Sequence, residues 1–201
     1  MSTRHNLDAN AALARLVAGN DRFVADKMER PRADINRRNA LEGGQAPFAI
    51  ILSCADSRVA PELIFDQGLG DLFVIRVAGN ILDDAAVLGS IEYAAAYLGT
   101  NLVVVMGHQG CGAVQAALGG GSHTKAIDEI ARAIQPVVAK ARAMDGDEVE
   151  NTVRLNASHV AQNLRGHKDV MHDLVQDKGV NVVSAYYHLG SGKVEFLDSE
   201  A

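Results

Sequence analysis

Apolar residues recur along this chain at two different periods. Between residues 8 and 25, Leu13, Leu16, Val17, Phe23 and Val24 fall at helical spacing, which predicts an amphipathic helix because a 3.6-residue repeat gathers them on one stripe. The stretch that follows, Lys27 to Arg38, is charged and rich in arginine, and reads as a surface arm. Three short apolar runs come next: Phe48 to Leu52, Leu72 to Val77 and Leu102 to Met106. Rich in Val, Ile and Phe and too short for helices, they predict strands buried on both faces of a parallel sheet.

The segments between these runs predict helices. Ala85 to Leu98 has the Ala, Leu and Tyr content of a crossover helix, and Pro61 suits the first turn of a shorter one, where its missing N–H costs nothing. Strand alternating with helix implies an open α/β sheet with right-handed crossovers. Beyond a flexible break at Gly119 to Gly121, a helix is expected from Ala126 to about Ala143, kinked at Pro136, and a second one carries Val149, Val153, Val160 and Leu164 on one face. Val180 to His188 and Lys193 to Leu197 flank Leu189-Gly190-Ser191-Gly192, the pattern of strand, turn and strand. The expected fold class is α/β: a central, mainly parallel sheet of four to five strands flanked by helices, with an N-terminal helical arm. No repeat or linker interrupts it. Residues 1–201 therefore read as a single domain, with 1–44 as the arm and 45–201 as the α/β core.

Composition narrows the function. With 48% hydrophobic and 22% charged residues in 201, the chain has globular balance and enough length to bury a core. A formal net charge of -6 argues against a nucleic-acid partner, which calls for a clustered basic excess. No window approaches the roughly 18 consecutive apolar residues of a membrane span, and the start lacks a secretory apolar run. No membrane partner and a cytoplasmic location are expected. The two cysteines, Cys54 and Cys111, then need a use other than a disulfide.

Their surroundings supply one. Cys54 lies two residues after the first apolar run and His108 two residues after the third, so both project from carboxyl ends of strands, where open α/β sheets bind ligands. Cys111 follows in Gly107-His108-Gln109-Gly110-Cys111-Gly112, whose glycines permit a tight turn before a helix near Ala113. Two thiolates and an imidazole form a set that zinc accepts while keeping a fourth position for chemistry. Asp56-Ser57-Arg58 follows Cys54 directly. A carboxylate beside a guanidinium stays ionised, so Asp56 either accepts the proton of a zinc-bound water and orients it, or occupies the fourth metal position itself. Capping of the helix at Pro61 by Asp56 or Ser57 is compatible with both. His5, His123, His159, His167, His172 and His188 lie outside the motif, and none is singled out as a proton shuttle. The glycine loop at Gly119 to Ser122 lacks the Lys-Ser/Thr ending of a phosphate cradle.

Cys54-Ala55-Asp56-Ser57-Arg58 together with Gly107-His108-Gln109-Gly110-Cys111-Gly112 resembles the paired motifs of the β-class carbonic anhydrases. Phe73 to Asn80, Ser90 to Ala94 and Tyr186 to Leu197 also look like family features in family order, so the likeness covers nearly the whole chain. The resemblance implies one zinc ion per subunit on Cys54, His108 and Cys111, with Asp56 and Arg58 catalytic and Asp56 a further candidate ligand. It implies that Gln45 points its amide at a substrate oxygen, that Phe73, Ala78 and Tyr93 form an apolar wall contributed partly by a neighbouring subunit, and that Gly112 presents a backbone N–H. The implied activity is reversible hydration of carbon dioxide to bicarbonate and a proton by zinc-bound hydroxide, in a self-associating dimer or tetramer. Two rivals share the motif: a carbonyl sulfide or carbon disulfide hydrolase, and a non-catalytic zinc-binding bicarbonate sensor.

Departures from the family pattern carry their own expectations. Members with a second, regulatory bicarbonate site have tryptophan three residues before the first zinc cysteine. Ile51 stands there and the chain has no Trp, which argues against that regulation. Arg76, matching an arginine of that regulatory site, is left between a remnant of it and a structural ion pair. Val77-Ala78 replaces the Asn-Val of some relatives, which makes the substrate wall roomier. Because two thiolates offset the charge of a zinc ion, its water is acidified less than on an all-imidazole site. Turnover is predicted to rise toward mildly alkaline pH, and a flat or acid-favoured pH–rate profile contradicts this.

Overall fold

Residues 7–82, 85–120, 124–167 and 170–197 are described by the computed structural model. At its centre are five strands, β1 (Ala49–Ser53), β2 (Leu72–Arg76), β3 (Leu102–His108), β4 (Asn181–Tyr187) and β5 (Val194–Phe196), in the order β2-β1-β3-β4-β5. The β1–β2, β1–β3 and β3–β4 pairs are parallel and β4–β5 is antiparallel. This is the mainly parallel sheet that the apolar runs imply.

The central strands read as unbroken apolar runs because both their faces are covered. Alternate residues point opposite ways: Ile50, Leu52, Val103 and Val105 join one buried cluster with residues of α4 (Ala85–Tyr97), α7 (Glu148–Arg165) and α8 (Val170–Gln176), including Ile91, Val160 and Leu174. On the other face, Ala49, Ile51, Leu102, Val104 and Met106 meet Ala12 and Leu16 of α1 (Ala9–Val24) and Ile64 of α3 (Pro61–Ile64). The remaining helices are α2 (Ile35–Leu41), α5 (Gly112–Gly119) and α6 (Lys125–Arg142). Asp8, Asp34, Thr124 and Asp147 cap α1, α2, α6 and α7 through their side chains, as short polar residues at N-caps do. No helix among the described residues is long and apolar enough to cross a membrane.

Several expectations need correction. The apolar stripe of α1 is covered within its own chain only in part: Ala12 and Leu16 are fully buried and Asn20 is tied down on three sides. The Asn20 amide donates to the carbonyls of Ile64 (3.1 Å) and Gly192 (2.8 Å), and its oxygen accepts from the Val194 N–H (2.8 Å). Val17 and Val24, expected on the stripe, remain exposed. The arginine-rich stretch contains a helix, α2, none of whose residues is buried. Helix α8 was not anticipated either. At seven residues each, both are shorter than two full helical turns, too little for a period to be legible. Gly121, part of the expected break, lies outside the described residues.

Carboxylates pin the N-terminal region to the core. Asp66, whose side chain is fully buried, accepts from Arg22 Nε (2.6 Å) and from the N–H groups of Glu29 (3.0 Å) and Arg30 (2.9 Å). Asp71 holds Arg32 at 2.6 Å and Arg15 at 3.3 Å. Burial pushes the Asp66 carboxyl up, but the Arg22 bond and the two amides outweigh it and the net shift is downward. Its contribution to stability is therefore complete above the ordinary carboxylate value, about pH 4, and is lost as pH falls through the lowered folded value. Asp66→Ala is expected to cost about 3 kcal/mol in urea unfolding at neutral pH, with the difference from wild type shrinking in acid. An unchanged midpoint contradicts the assigned role.

Candidate metal centre

Topology explains why distant cysteines and a histidine can meet. From β1 the chain crosses to β2 on one side and then returns to β3 on the other. The carboxyl ends of β1 and β3 therefore diverge around a crevice, the usual ligand site of an open α/β sheet. Ser53 pairs in register with Met106. Cys54 directly follows β1, His108 is the last residue of β3, and Cys111 ends the turn that enters α5. That turn is closed by Gly110 at φ 64°, a left-handed conformation that glycine adopts without strain.

All three side chains are buried, and their ligand atoms lie within 4.8 Å of one another. His108 Nδ1 donates to the Gln109 carbonyl at 3.0 Å. A carbonyl only accepts, so Nδ1 carries the proton and Nε2 presents its lone pair. Nε2 is buried with no hydrogen-bond partner among the described residues, the disposition of a ligand atom. The Cys111 thiol beside Cys54 and the N–H groups of Gly79 and Asp56, opposed by burial, pull Cys54 well below the ordinary thiol range. The same pairing, with burial, pushes Cys111 up. Two sulfurs and one imidazole within 4.8 Å of one another fit a borderline-soft divalent cation. The cluster could bind a metal ion.

Asp56 stands beside this set and not within it. Its Oδ1 accepts from Arg58 N (2.9 Å) and Nε (2.9 Å), and its Oδ2 accepts from Arg58 Nη2 (2.7 Å). Oδ2 is 3.9 Å from His108 Nε2. The two-pronged Arg58 bond holds the Asp56 carboxyl well below the usual carboxylate range. Neither Asp56 nor Ser57 caps the helix that opens at Pro61, since its N-cap is Ala60 and no side chain bonds there. Arg76 makes no ion pair among the described residues. It donates to two carbonyls, Cys54 O from Nε (3.1 Å) and Asp56 O from Nη2 (2.6 Å), and so clamps the backbone that carries both residues.

With this geometry, likeness to known proteins becomes specific. The family model described as carbonic anhydrase matches residues 49–194, a span that contains every residue of the buried cluster. The chain is 37% identical over 197 residues to carbonic anhydrase 2 of Mycobacterium tuberculosis, covering 96% of this chain and 95% of that one. The chain belongs to the β-class carbonic anhydrase family. Among solved structures of that family, the β-carbonic anhydrase CafA of Aspergillus fumigatus aligns with a TM-score of 0.72 at 28% identity, over 96% of this chain and 91% of that one. A tetrameric β-carbonic anhydrase of the ascomycete Sordaria macrospora shares the fold with a TM-score of 0.75 at 23% identity, over 94% of this chain and 98% of its own.

The residues that the carbonic anhydrase resemblance singles out fall into two groups in space. Ala78 and Gly112 line a cavity of about 370 Å³ together with Ala113, Ala116, Ile127 and Ile130. The last four were missed, although two residues three apart on each of two consecutive helices were there to be read. Phe73 and Tyr93 contact each other, with ring centroids 6.3 Å apart, and Tyr93 stacks on Tyr97 at 5.7 Å. This group sits on the edge strand β2 and on α4, with Tyr97 81% exposed. Phe73 pairs in register with Ile50, four residues before Cys54, or about 13 Å along the strand. Gln45 is exposed before the amino end of β1, so all of β1 separates it from Cys54. Neither residue reaches the cluster of its own chain. Of the other histidines, His159 pairs with Asn163 at 3.1 Å and His188 with Glu195 at 3.3 Å. His5 and His123 lie outside the described residues.

Proposed function

We propose that the chain is a zinc carbonic anhydrase catalysing reversible hydration of carbon dioxide to bicarbonate and a proton. The observation that carries this reading is that three protein donors converge while Asp56, beside them, is engaged by Arg58. Three protein ligands characterise catalytic zinc, whereas structural sites use four. Held by Cys54, His108 and Cys111, zinc would supply the Lewis acidity that makes water a competent nucleophile at neutral pH.

The chain's own groups then divide the remaining work. Asp56, kept ionised by Arg58, accepts a hydrogen bond from the attacking water and turns its lone pair toward the substrate. Ala78 and the apolar wall hold an uncharged linear molecule without competing for its oxygens. Gly112 opens α5, and Cys111 caps that helix without a side-chain hydrogen bond. As the first residue of the helix, Gly112 has an N–H with no partner within α5, available to an oxygen that gains negative charge as bicarbonate forms.

Gln45, Phe73 and Tyr93 act in trans on this reading, each completing the pocket of a second copy. The exposed Tyr93–Tyr97 stack beside the β2 edge supports association, as does the tetrameric assembly named for the Sordaria relatives. A reducing compartment, the cytoplasm, keeps both thiols available as ligands. Residues 1–201 serve as one domain, and the Asp56–Arg58 pairing argues against a sensor whose metal is closed by Asp56.

Metal content and carbon dioxide hydration of the wild type and of Asp56→Asn test the reading. The variant is expected to keep its zinc and to lose about a hundredfold in kcat. Loss of zinc makes Asp56 a ligand instead. Sulfide release from carbonyl sulfide that far outpaces bicarbonate formation overturns the substrate assignment.

A further inference from the structure

The Cys54 sulfur has a partner outside the metal-ligand motifs. The Gly79 N–H donates to Cys54 Sγ at 3.4 Å. Gly79 sits in a short 3-10 turn, Ala78–Asn80, with φ 71°, and the same turn carries Ala78 to the substrate cavity. On its amino side the turn is fixed to β1, since Val77 N–H donates to Ser53 O (3.1 Å) and Val77 O accepts from Ala55 N–H (3.3 Å). Beyond Gly79 the neighbours are apolar. A Cβ built on Gly79 would lie 3.0 Å from Ile134 Cδ1 and 3.2 Å from Ala113 Cβ, and neither offers a hydrogen bond. The Gly79 carbonyl finds its donor in Asn156 Nδ2, at 2.9 Å.

Asn156 belongs to α7, is 1% exposed, and touches none of the three candidate ligands through a hydrogen bond. Its Oδ1 has no hydrogen-bond partner among the described residues. An amide buried in this way is costly where an apolar side chain would fill the space, so the bond it does make is the feature to explain. We infer that Asn156 is a positioning residue for the metal centre, holding the Ala78–Asn80 turn where the Gly79 N–H meets the Cys54 sulfur. An N–H directed at a thiolate orients it and draws charge from it, and groups just outside a ligand set tune metal affinity in this way. Helix α7 is a firm base, since it packs along β3 and β4 through Val153, Ala157, Val160 and Leu164, all buried.

This inference rests on the metal-centre reading, and the experiment separates the two. The full chain is loaded with cobalt, and two properties are recorded: the near-ultraviolet thiolate-to-cobalt band and the rate of metal release to a chelator. Asn156→Ala and Asn156→Asp, the second keeping the shape but losing the donor, are compared with Leu164→Ala, which destabilises the same helix away from Gly79. Both Asn156 variants are expected to shift the band and to release metal about tenfold faster or more, with Leu164→Ala lowering Tm but leaving both readouts as in the wild type. If one Asn156 variant fails to fold, the other decides. Wild-type behaviour in a folded Asn156 variant, or the same changes in Leu164→Ala, overturns the positioning role. Absence of the band in wild-type protein overturns the metal-centre reading itself.

Discussion

The parallel pairing of β1 with β3 is the constraint on which the rest depends. Registering Ser53 against Met106 brings the residues beyond each strand to one end of the sheet, and a one-residue slip would turn every side chain of a strand to the opposite face. The register is fixed by burial on both sides: Ile50 and Leu52 are needed by one cluster and Ala49 and Ile51 by the other. Hydrophobic alternation in two strands thereby sets the meeting of Cys54 with His108. The Gly107 Cα approaches α7 so closely that an added Cβ would lie 2.6 Å from Val153 Cγ1, so the helix that supports β3 is seated one residue before the histidine.

Around that meeting point, charge and hydrogen bonding are arranged in layers. His108 is fixed through Nδ1 by the Gln109 carbonyl, and Gln109 is in turn held by Tyr187 O and Leu189 N–H across the neighbouring strand. Arg76 clamps the backbone of Cys54 and Asp56, and Arg58 takes both carboxylate oxygens. Two adjacent arginines thus divide backbone and side chain between them. The result is a buried set of two sulfurs and an imidazole beside a carboxylate held below the usual carboxylate range, the juxtaposition on which the proposed function rests.

The parts of this arrangement that were legible in the sequence are those encoded locally. Cys54, Asp56 and Arg58 lie within five residues and His108 and Cys111 within four, each group next to a strand whose apolar run announces it. The α/β fold with its mainly parallel sheet was readable for the same reason. What escaped depends on contacts between distant segments. Arg76 as a backbone clamp follows from how β2 lies against β1 and Asn156 beneath Gly79 from how α7 packs, and no spacing in the chain records either. The short helices α2 and α8 escaped because seven residues give no measurable period.

The central claim is that a metal ion is held by Cys54, His108 and Cys111 while Asp56 stays with Arg58. A crystal structure of the zinc-loaded protein at neutral pH, with anomalous scattering recorded at the zinc edge, tests it most directly. The expected result is one zinc peak per chain, bonded to the two sulfurs and to His108 Nε2, with the Asp56–Arg58 pair intact. A zinc ion that takes an Asp56 oxygen as its fourth ligand, or that lies away from these three residues, would contradict it.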